Sequence, residues 1–139
     1  MIDIHTHLLN NVDDGSREAI ESLTSLKLAE EAGFTDIILT PHYIEDYYEN
    51  SYEYIKPKID ELKTKLYENN ILVRVHQGNE VYISDNIGEL ITNNIVSKLA
   101  RSRYLLFELP QNSKILTLDN LISPIILAIF LWLSTISSR

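Results

Sequence analysis

The stretch IDIHTHLLNNVDDGSREAIESLTSLKLAEEAGFTDIILT, residues 2–40, reads as one strand-helix-strand unit. Ile2 to His5 is the first strand. From Ser16 to Ala32 the apolar residues Ile20, Leu23, Leu26, Leu28 and Ala32 recur at helical spacing, with Ser16 placed to cap the start and Gly33 to close the end. Asp36 to Thr40 is a continuous apolar run too short for a helix and followed by Pro41, which predicts a buried strand. Strands separated by a helix of this length pair in parallel.

The pattern repeats outward from this unit. Ile55, Ile59, Leu62 and Leu66 predict a second helix with Pro57 in its first turn, ended by Asn69-Asn70. Ile71 to His76 alternates apolar with polar residues and is the third strand, broken by Gly78. A shorter helix is expected over Asp85 to Asn93, Asn93-Asn94 reads as a turn, and YLLFEL (Tyr104 to Leu109) is a fourth strand stopped by Pro110. The fold class is therefore α/β, with parallel strands alternating with helices in an open sheet or part of a barrel. Both architectures carry their chemistry beyond the C-terminal ends of the strands.

Composition narrows the function. The chain has 139 residues, 45% of them apolar, enough for the core of one domain. Twelve Lys and Arg against twenty Asp and Glu give a net charge of -8 without a basic block, which argues against nucleic-acid binding. With no cysteine, a disulfide framework, a thiolate zinc site and a cysteine nucleophile are excluded. The N-terminus lacks a basic start and a long apolar run, so a cytoplasmic location is expected. The segment LISPIILAIFLWLSTI, Leu121 to Ile136, is nearly free of charge but short for a membrane span and contains Pro124. A buried strand or helix is the plainer reading; a C-terminal tail anchor is the alternative.

The strand ends hold the candidate chemistry. Period-two geometry places Asp3, His5 and His7 on one side of the first strand. Two imidazoles on one side suit a divalent cation, with an acid orienting the rings from behind, although such a pair alone is a weak signal that two surface histidines also produce. The remaining ends add weight: strand two runs to His42, strand three to Glu80, and strand four carries Glu108, with Asp13-Asp14-Gly15 in the first loop. A converging set of this kind repels itself unless cations or protons neutralise it. His76 alternates away from the site and reads as an ordinary strand side chain. Five of the eight tyrosines (Tyr43, Tyr47, Tyr48, Tyr52 and Tyr54) follow His42 within twelve residues, in a loop expected to overhang the site as a stacking surface, a lid or a subunit contact.

The motifs MIDIHTHLLNNVDDGS, TPHY and GNEVYI resemble the PHP (polymerase and histidinol phosphatase) superfamily. Within it they are most similar to the bacterial manganese-dependent tyrosine-protein phosphatases of capsule and exopolysaccharide operons. The likeness runs from Met1 to about Leu109. It implies a distorted parallel β/α barrel with a metal cluster at the strand ends, whose ligand positions would be His5, His7, Asp14, His42, Glu80 and Glu108. Of these His5, His7 and Glu80 would be central to catalysis, with Glu80 bridging ions. It further implies Mn²⁺ as cofactor, with Mg, Fe or Zn as substitutes, and a metal-bound hydroxide as the attacking group. The implied partner is a phosphotyrosyl protein, a bacterial tyrosine kinase of polysaccharide synthesis; a small metabolite such as histidinol phosphate is the competing substrate.

The resemblance also marks a departure. The family pattern continues with an HPERY-like segment and a distant DxH pair, whereas here SPIILA (residues 123–128) passes into IFLWLSTISSR (residues 129–139). Residues 1–128 are thus expected to be the N-terminal part of a phosphatase domain and 129–139 an aberrant apolar tail, from a truncated or frameshifted gene. Weak or absent activity, as an inactive remnant or binding module, is the alternative to catalysis that follows.

Overall fold

A computed structural model of the chain describes residues 1–109 and the short strand Ala128–Ile129. In chain order the elements are β1 (Ile2–Thr6), α1 (Ala19–Glu31), β2 (Asp36–Leu39), β3 (His42–Ile44), β4 (Tyr48–Glu49), α2 (Tyr52–Glu68), β5 (Arg74–Gln77), β6 (Glu80–Tyr82), α3 (Ile87–Thr92), a 3₁₀ turn (Leu99–Arg101), β7 (Leu106–Glu108) and β8 (Ala128–Ile129). The mixed α/β class with parallel strands is as expected. The apolar segment Leu121–Ile136 and the tail after residue 128 lie, apart from β8, outside the described residues. No helix among the described residues is long and apolar enough to cross a membrane.

The strands do not form one continuous sheet. Periodicity ends strand two at Thr40 and strand three at His76, but both resume after a two-residue break. Thr40-Pro41 separates β2 from β3, and Gly78-Asn79 separates β5 from β6. The first halves join a parallel sheet ordered β1-β2-β5; the second halves join a sheet ordered β4-β3-β6-β7-β8. All ladders are parallel except the β3-β4 hairpin. Pro41 has no N–H to offer a ladder. At Gly78 the chains crowd: a Cβ there would stand 2.9 Å from Ile38 Cγ2 and 3.0 Å from Leu99 Cδ2. Residues His42 and Glu80 therefore begin new strands rather than ending old ones, and face each other in register across β3 and β6.

Helix α2 follows its sequence pattern. Ile55, Ile59, Leu62 and Leu66 are all buried and pack with Leu9, Leu26, Ile37, Leu39, Val73 and Val75. Burying each such side chain contributes about 1.5–3 kcal/mol. The helix starts earlier than expected, because the Ser51 hydroxyl accepts the Tyr54 N–H at 3.3 Å. Pro57 consequently sits in the second turn, not the first.

Helix α1 corrects its expected stripe and cap. Leu26 and Ser22 are buried and Leu23 and Ala29 pack on the core, but Ile20 and Leu28 are 62% and 59% exposed. Apolar residues occur around most of this helix, so spacing alone did not single out the inward face. Ser16 does not cap it: its N–H donates to the His7 carbonyl at 3.0 Å and its carbonyl accepts from Asn11 at 2.8 Å, which ties it into the preceding loop. The Glu21 carboxylate instead accepts the free N–H groups of Arg17 and Glu18. Gly33 closes the helix as expected, with φ of 92°.

A second apolar cluster joins Tyr43, Val81, Ile83, Ile87, Leu90, Leu105 and Phe107 around the β3-β6-β7 sheet, and Ile38, Leu99 and Leu106 form a third, with Ile4 packed against it. These cores hold the ends of β1, β3, β6 and β7 together.

Candidate metal centre

The first strand carries a bulge. Asp3 pairs with Ile37 and Thr6 with Leu39, so β1 spends three residues where β2 spends two. This interrupts the alternation that would group Asp3 with the histidines. The Asp3 carboxylate accepts the N–H of His5, two residues along, at 3.2 Å. His5 and His7 turn toward one point, their Nε2 atoms 3.2 Å apart.

The loop after His7 returns so closely that a side chain at residue 15 would overlap the His7 carbonyl and Cβ, which restricts the position to glycine. The turn is fixed by Asp13, whose Oδ1 accepts the Gly15 N–H at 3.0 Å. Its Oδ2 accepts the His42 N–H at 3.0 Å and lies 2.8 Å from His7 Nδ1. Sequence reasoning counted Asp13 as one more carboxylate of the loop; its position two residues before a glycine was the available signal for this turn.

Glu80 lies at the centre. Its Oε2 is 3.0 Å from His5 Nε2, 3.0 Å from His7 Nε2 and 3.4 Å from His42 Nδ1. His42 Nδ1 is also 3.5 Å from Glu108 Oε2, and its Nε2 is 3.7 Å from Asp14 Oδ1. All six expected ligand positions thus come together, as three overlapping triads: His5-His7-Glu80, His7-Asp14-His42 and His42-Glu80-Glu108. In each, one ligand atom per residue lies within 4.8 Å of the others.

The donor set fits divalent cations. Neighbouring ligand atoms of an octahedral ion at about 2.1 Å stand about 3.0 Å apart, and the edges of the first triad, 3.0, 3.0 and 3.2 Å, are near this spacing. Imidazole with carboxylate suits first-row divalent metals. His42 Nδ1 and Glu108 Oε2 are buried atoms with no hydrogen-bond partner among the described residues. Leaving such groups unpaired costs about 1–3 kcal/mol each, which a cation between them would offset.

Protons and metal compete for the same atoms. Burial alone would lower the His7 pKa, but hydrogen bonds to Asp13 and Glu80 outweigh it and raise the imidazolium to about 10. Burial alone would raise Glu80, yet the His5 and His7 rings hold it down at about 2. Asp13 is also lowered, because His7 and the N–H groups of His42 and Gly15 overcome its burial. The cluster therefore demands positive charge, from protons or from metal.

The tyrosines divide. Tyr43 is buried in the second core, Tyr52 opens α2, and the Lys58 ammonium sits 5.0 Å from the Tyr54 ring, so these three are not part of an overhang. Of the five, Tyr48 borders the site and Tyr47 packs against it. The Tyr48 ring lies 6.1 Å from the His42 ring at 11°, and Tyr47 meets Tyr48 edge-on at 4.6 Å while remaining 74% exposed. His76 is an ordinary strand residue, 2.8 Å from Asp36 Oδ1.

Comparison with known proteins converges on one family. The profile described as capsular polysaccharide synthesis, CpsB/CapC, matches residues 1–132. CapC of Staphylococcus aureus is 39% identical over 112 residues, covering 81% of this chain and 44% of that protein. The tyrosine-protein phosphatase YwqE of Bacillus subtilis is 30% identical over 110 residues, 79% of this chain and 43% of that one. A chain from the crystal structures of YwqE from Bacillus subtilis and CpsB from Streptococcus pneumoniae, metal-dependent tyrosine phosphatases, matches with TM-score 0.75 at 30% identity. That match covers 79% of this chain and 44% of the other. The chain spans less than half the length of the curated relatives it matches.

Proposed function

The chain belongs to the capsular polysaccharide synthesis family CpsB/CapC, and from that premise we propose that its strand-end cluster is part of a metal-dependent phosphatase centre acting on phosphotyrosine in protein. The observation that carries the reading is the sharing of His7, His42 and Glu80 among three ligand triads, an arrangement suited to neighbouring ions rather than to one isolated ion. His5, His7, Asp14, His42, Glu80 and Glu108 would hold the ions. Manganese is our assignment, on the family resemblance; the imidazole and carboxylate donors accept Mg, Fe or Zn as well.

Held there, cations would supply a water of lowered pKa and neutralise phosphoryl oxygens. The residues of the chain prepare the site for this. With metal bound, Asp13 would keep a proton at His7 Nδ1 and so turn the Nε2 lone pair to the ions. Glu80, with one oxygen close to all three imidazoles, is placed to be shared between ions. The negative charge of the chain does not oppose an anionic substrate, since bound cations reverse the local field.

The aromatic pair Tyr47 and Tyr48 supports the phosphotyrosyl class. A ring carried by the substrate, entering beside His42, would meet Tyr48 within the usual range of aromatic contacts. A tyrosine kinase governing polysaccharide export is the protein partner we assign. The test is the binding of a phosphotyrosyl peptide, a phosphoseryl peptide and histidinol phosphate to the chain, with manganese and with chelator. Manganese-dependent binding of the phosphotyrosyl peptide in preference to the others is expected. Binding insensitive to chelator, or preference for histidinol phosphate, would overturn the reading.

A further inference from the structure

Behind the ligand cluster lie two buried carboxamides, Asn79 at 0% and Asn50 at 2% exposure. Asn79 occupies the break between β5 and β6, and Asn50 lies between β4 and α2. Buried polar side chains in loops are retained only when their hydrogen bonds are met, so their partners indicate their purpose. The Asn79 Nδ2 donates to the Pro41 carbonyl at 3.1 Å and to the Asn50 carbonyl at 3.0 Å. Its Oδ1 accepts the Ser97 N–H at 2.8 Å, and its own N–H donates to the Ser97 carbonyl at 3.1 Å. Asn50 Nδ2 donates to the Val12 and His42 carbonyls, both at 2.9 Å.

Three of the four acceptors, the Val12, Pro41 and His42 carbonyls, lie in or beside a segment that carries a candidate ligand, and the fourth, the Asn50 carbonyl, ties the two amides together. Val12 precedes Asp13 and Asp14. Pro41 precedes His42, and its carbonyl also accepts the Glu80 N–H at 3.1 Å. The Asn79 side chain and the Glu80 backbone therefore grip the same oxygen and fix Glu80 against the start of β3. Asn50 closes the set by joining the His42 carbonyl to the loop of Asp13 and Asp14.

We infer that Asn79 and Asn50 are positioning residues of the metal centre, a two-amide clasp that sets the spacing between the Asp13-Asp14 loop, His42 and Glu80 and thereby the affinity for metal. The inference rests on the reading that the cluster binds metal. Neither side chain reaches a ligand atom; both act through the backbone that carries one. The breaks at Thr40-Pro41 and Gly78-Asn79 explain the need for such a device. Backbone bonds tie the two chains at these breaks, Gly78 N–H to the Leu39 carbonyl at 2.9 Å and Glu80 N–H to the Pro41 carbonyl at 3.1 Å, and the side-chain amides add the links that backbone pairing does not make, to Val12, Asn50 and Ser97. Misplaced ligands lose affinity steeply, because each must meet the ion at a fixed distance.

The test is the Mn²⁺ dissociation constant by calorimetry for the native chain, Asn79→Asp, Asn50→Asp and Leu62→Ala, at a temperature where circular dichroism shows each to be folded. Aspartate keeps the shape of asparagine but replaces the donating nitrogen with an oxygen facing carbonyl oxygens. Leu62→Ala lowers stability from the α2 core without touching the clasp. The expected result is weakening by about tenfold or more in both asparagine variants, the range typical of groups that orient ligands, with Leu62→Ala unchanged. Native affinity in the folded asparagine variants would overturn the clasp and leave the metal reading standing. If Asn79→Asp does not fold, Asn50→Asp carries the same comparison. A native chain that fails to bind Mn²⁺ would bring down the metal reading, and the clasp with it.

Discussion

The carboxylate of Asp13 lies 2.8 Å from Nδ1 of His7, and the oxygen making that contact also accepts the backbone N–H of His42. One side chain thus fixes the ring of one candidate ligand and the backbone of another. Replacing it as Asp13→Asn keeps the shape but removes the charge that faces His7 Nδ1. Metal affinity is expected to fall by about 10- to 100-fold, as is usual for such orienting groups. Calorimetric titration checks this; an unchanged constant would show that His7 is oriented by other means.

Gly15 is the residue that lets this loop return to the strand. In Gly15→Ala the added methyl would overlap the His7 backbone, so the loop must move and carry Asp13 with it. A loss of stability of about 1–3 kcal/mol, typical of overpacking, is expected together with weaker metal binding. Thermal melts with and without Mn²⁺ separate the two effects: the stabilisation conferred by metal should shrink in the variant.

Away from the site, Asp36 receives two hydrogen bonds from Arg74 and lies 2.8 Å from His76 Nε2. Arg74 above all, with His76 and the Thr35 hydroxyl, holds its carboxyl far below the usual carboxylate range. A depressed folded-state pKa stabilises the fold above the unfolded value of about 3.9 and loses that contribution as the pH falls further. The melting temperature of Asp36→Asn should therefore lie below native at pH 7, and the gap should narrow as the pH drops below 4. A gap that widens with acid would contradict this sign.

Tyr48 offers a test of recognition. Tyr48→Ala removes the ring parallel to His42 without deleting a candidate ligand. Its metal affinity should stay within about twofold of native, while preference for a phosphotyrosyl over a phosphoseryl peptide should fall by about three- to tenfold, the size of a lost aromatic contact. Competition binding to the manganese-loaded chain measures both. Equal preference in native and variant proteins would remove Tyr48 from substrate recognition.

Much of this was legible in the sequence, for physical reasons that differ by element. Helix α2 shows its inward face because Ile55, Ile59, Leu62 and Leu66 stand out against polar neighbours. In α1 the apolar residues spread around the axis, so Ile20 and Leu28 read as core although they face solvent. His5, His7, His42, Glu80 and Glu108 could be found because they lie at or just past the C-terminal ends of strands legible in the sequence, although His42 and Glu80 in fact open β3 and β6. The division into two sheets could not, since Thr40-Pro41 and Gly78-Asn79 carry the same signals as ordinary strand ends. Asn50 and Asn79 were hidden for a related reason: asparagine in a connection usually marks a turn, and only burial separates a turn residue from a cross-link.

Retention of metal by the cluster is the point on which the function turns. Elemental analysis of the native chain and of His5→Ala/His7→Ala, after loading with Mn²⁺ and exhaustive dialysis, measures it directly. The expected result is divalent metal retained by the native chain and largely lost from the variant, because His7 belongs to two of the three triads and His5 to one. Equal metal content in the two folded proteins would contradict a metal centre at these strand ends.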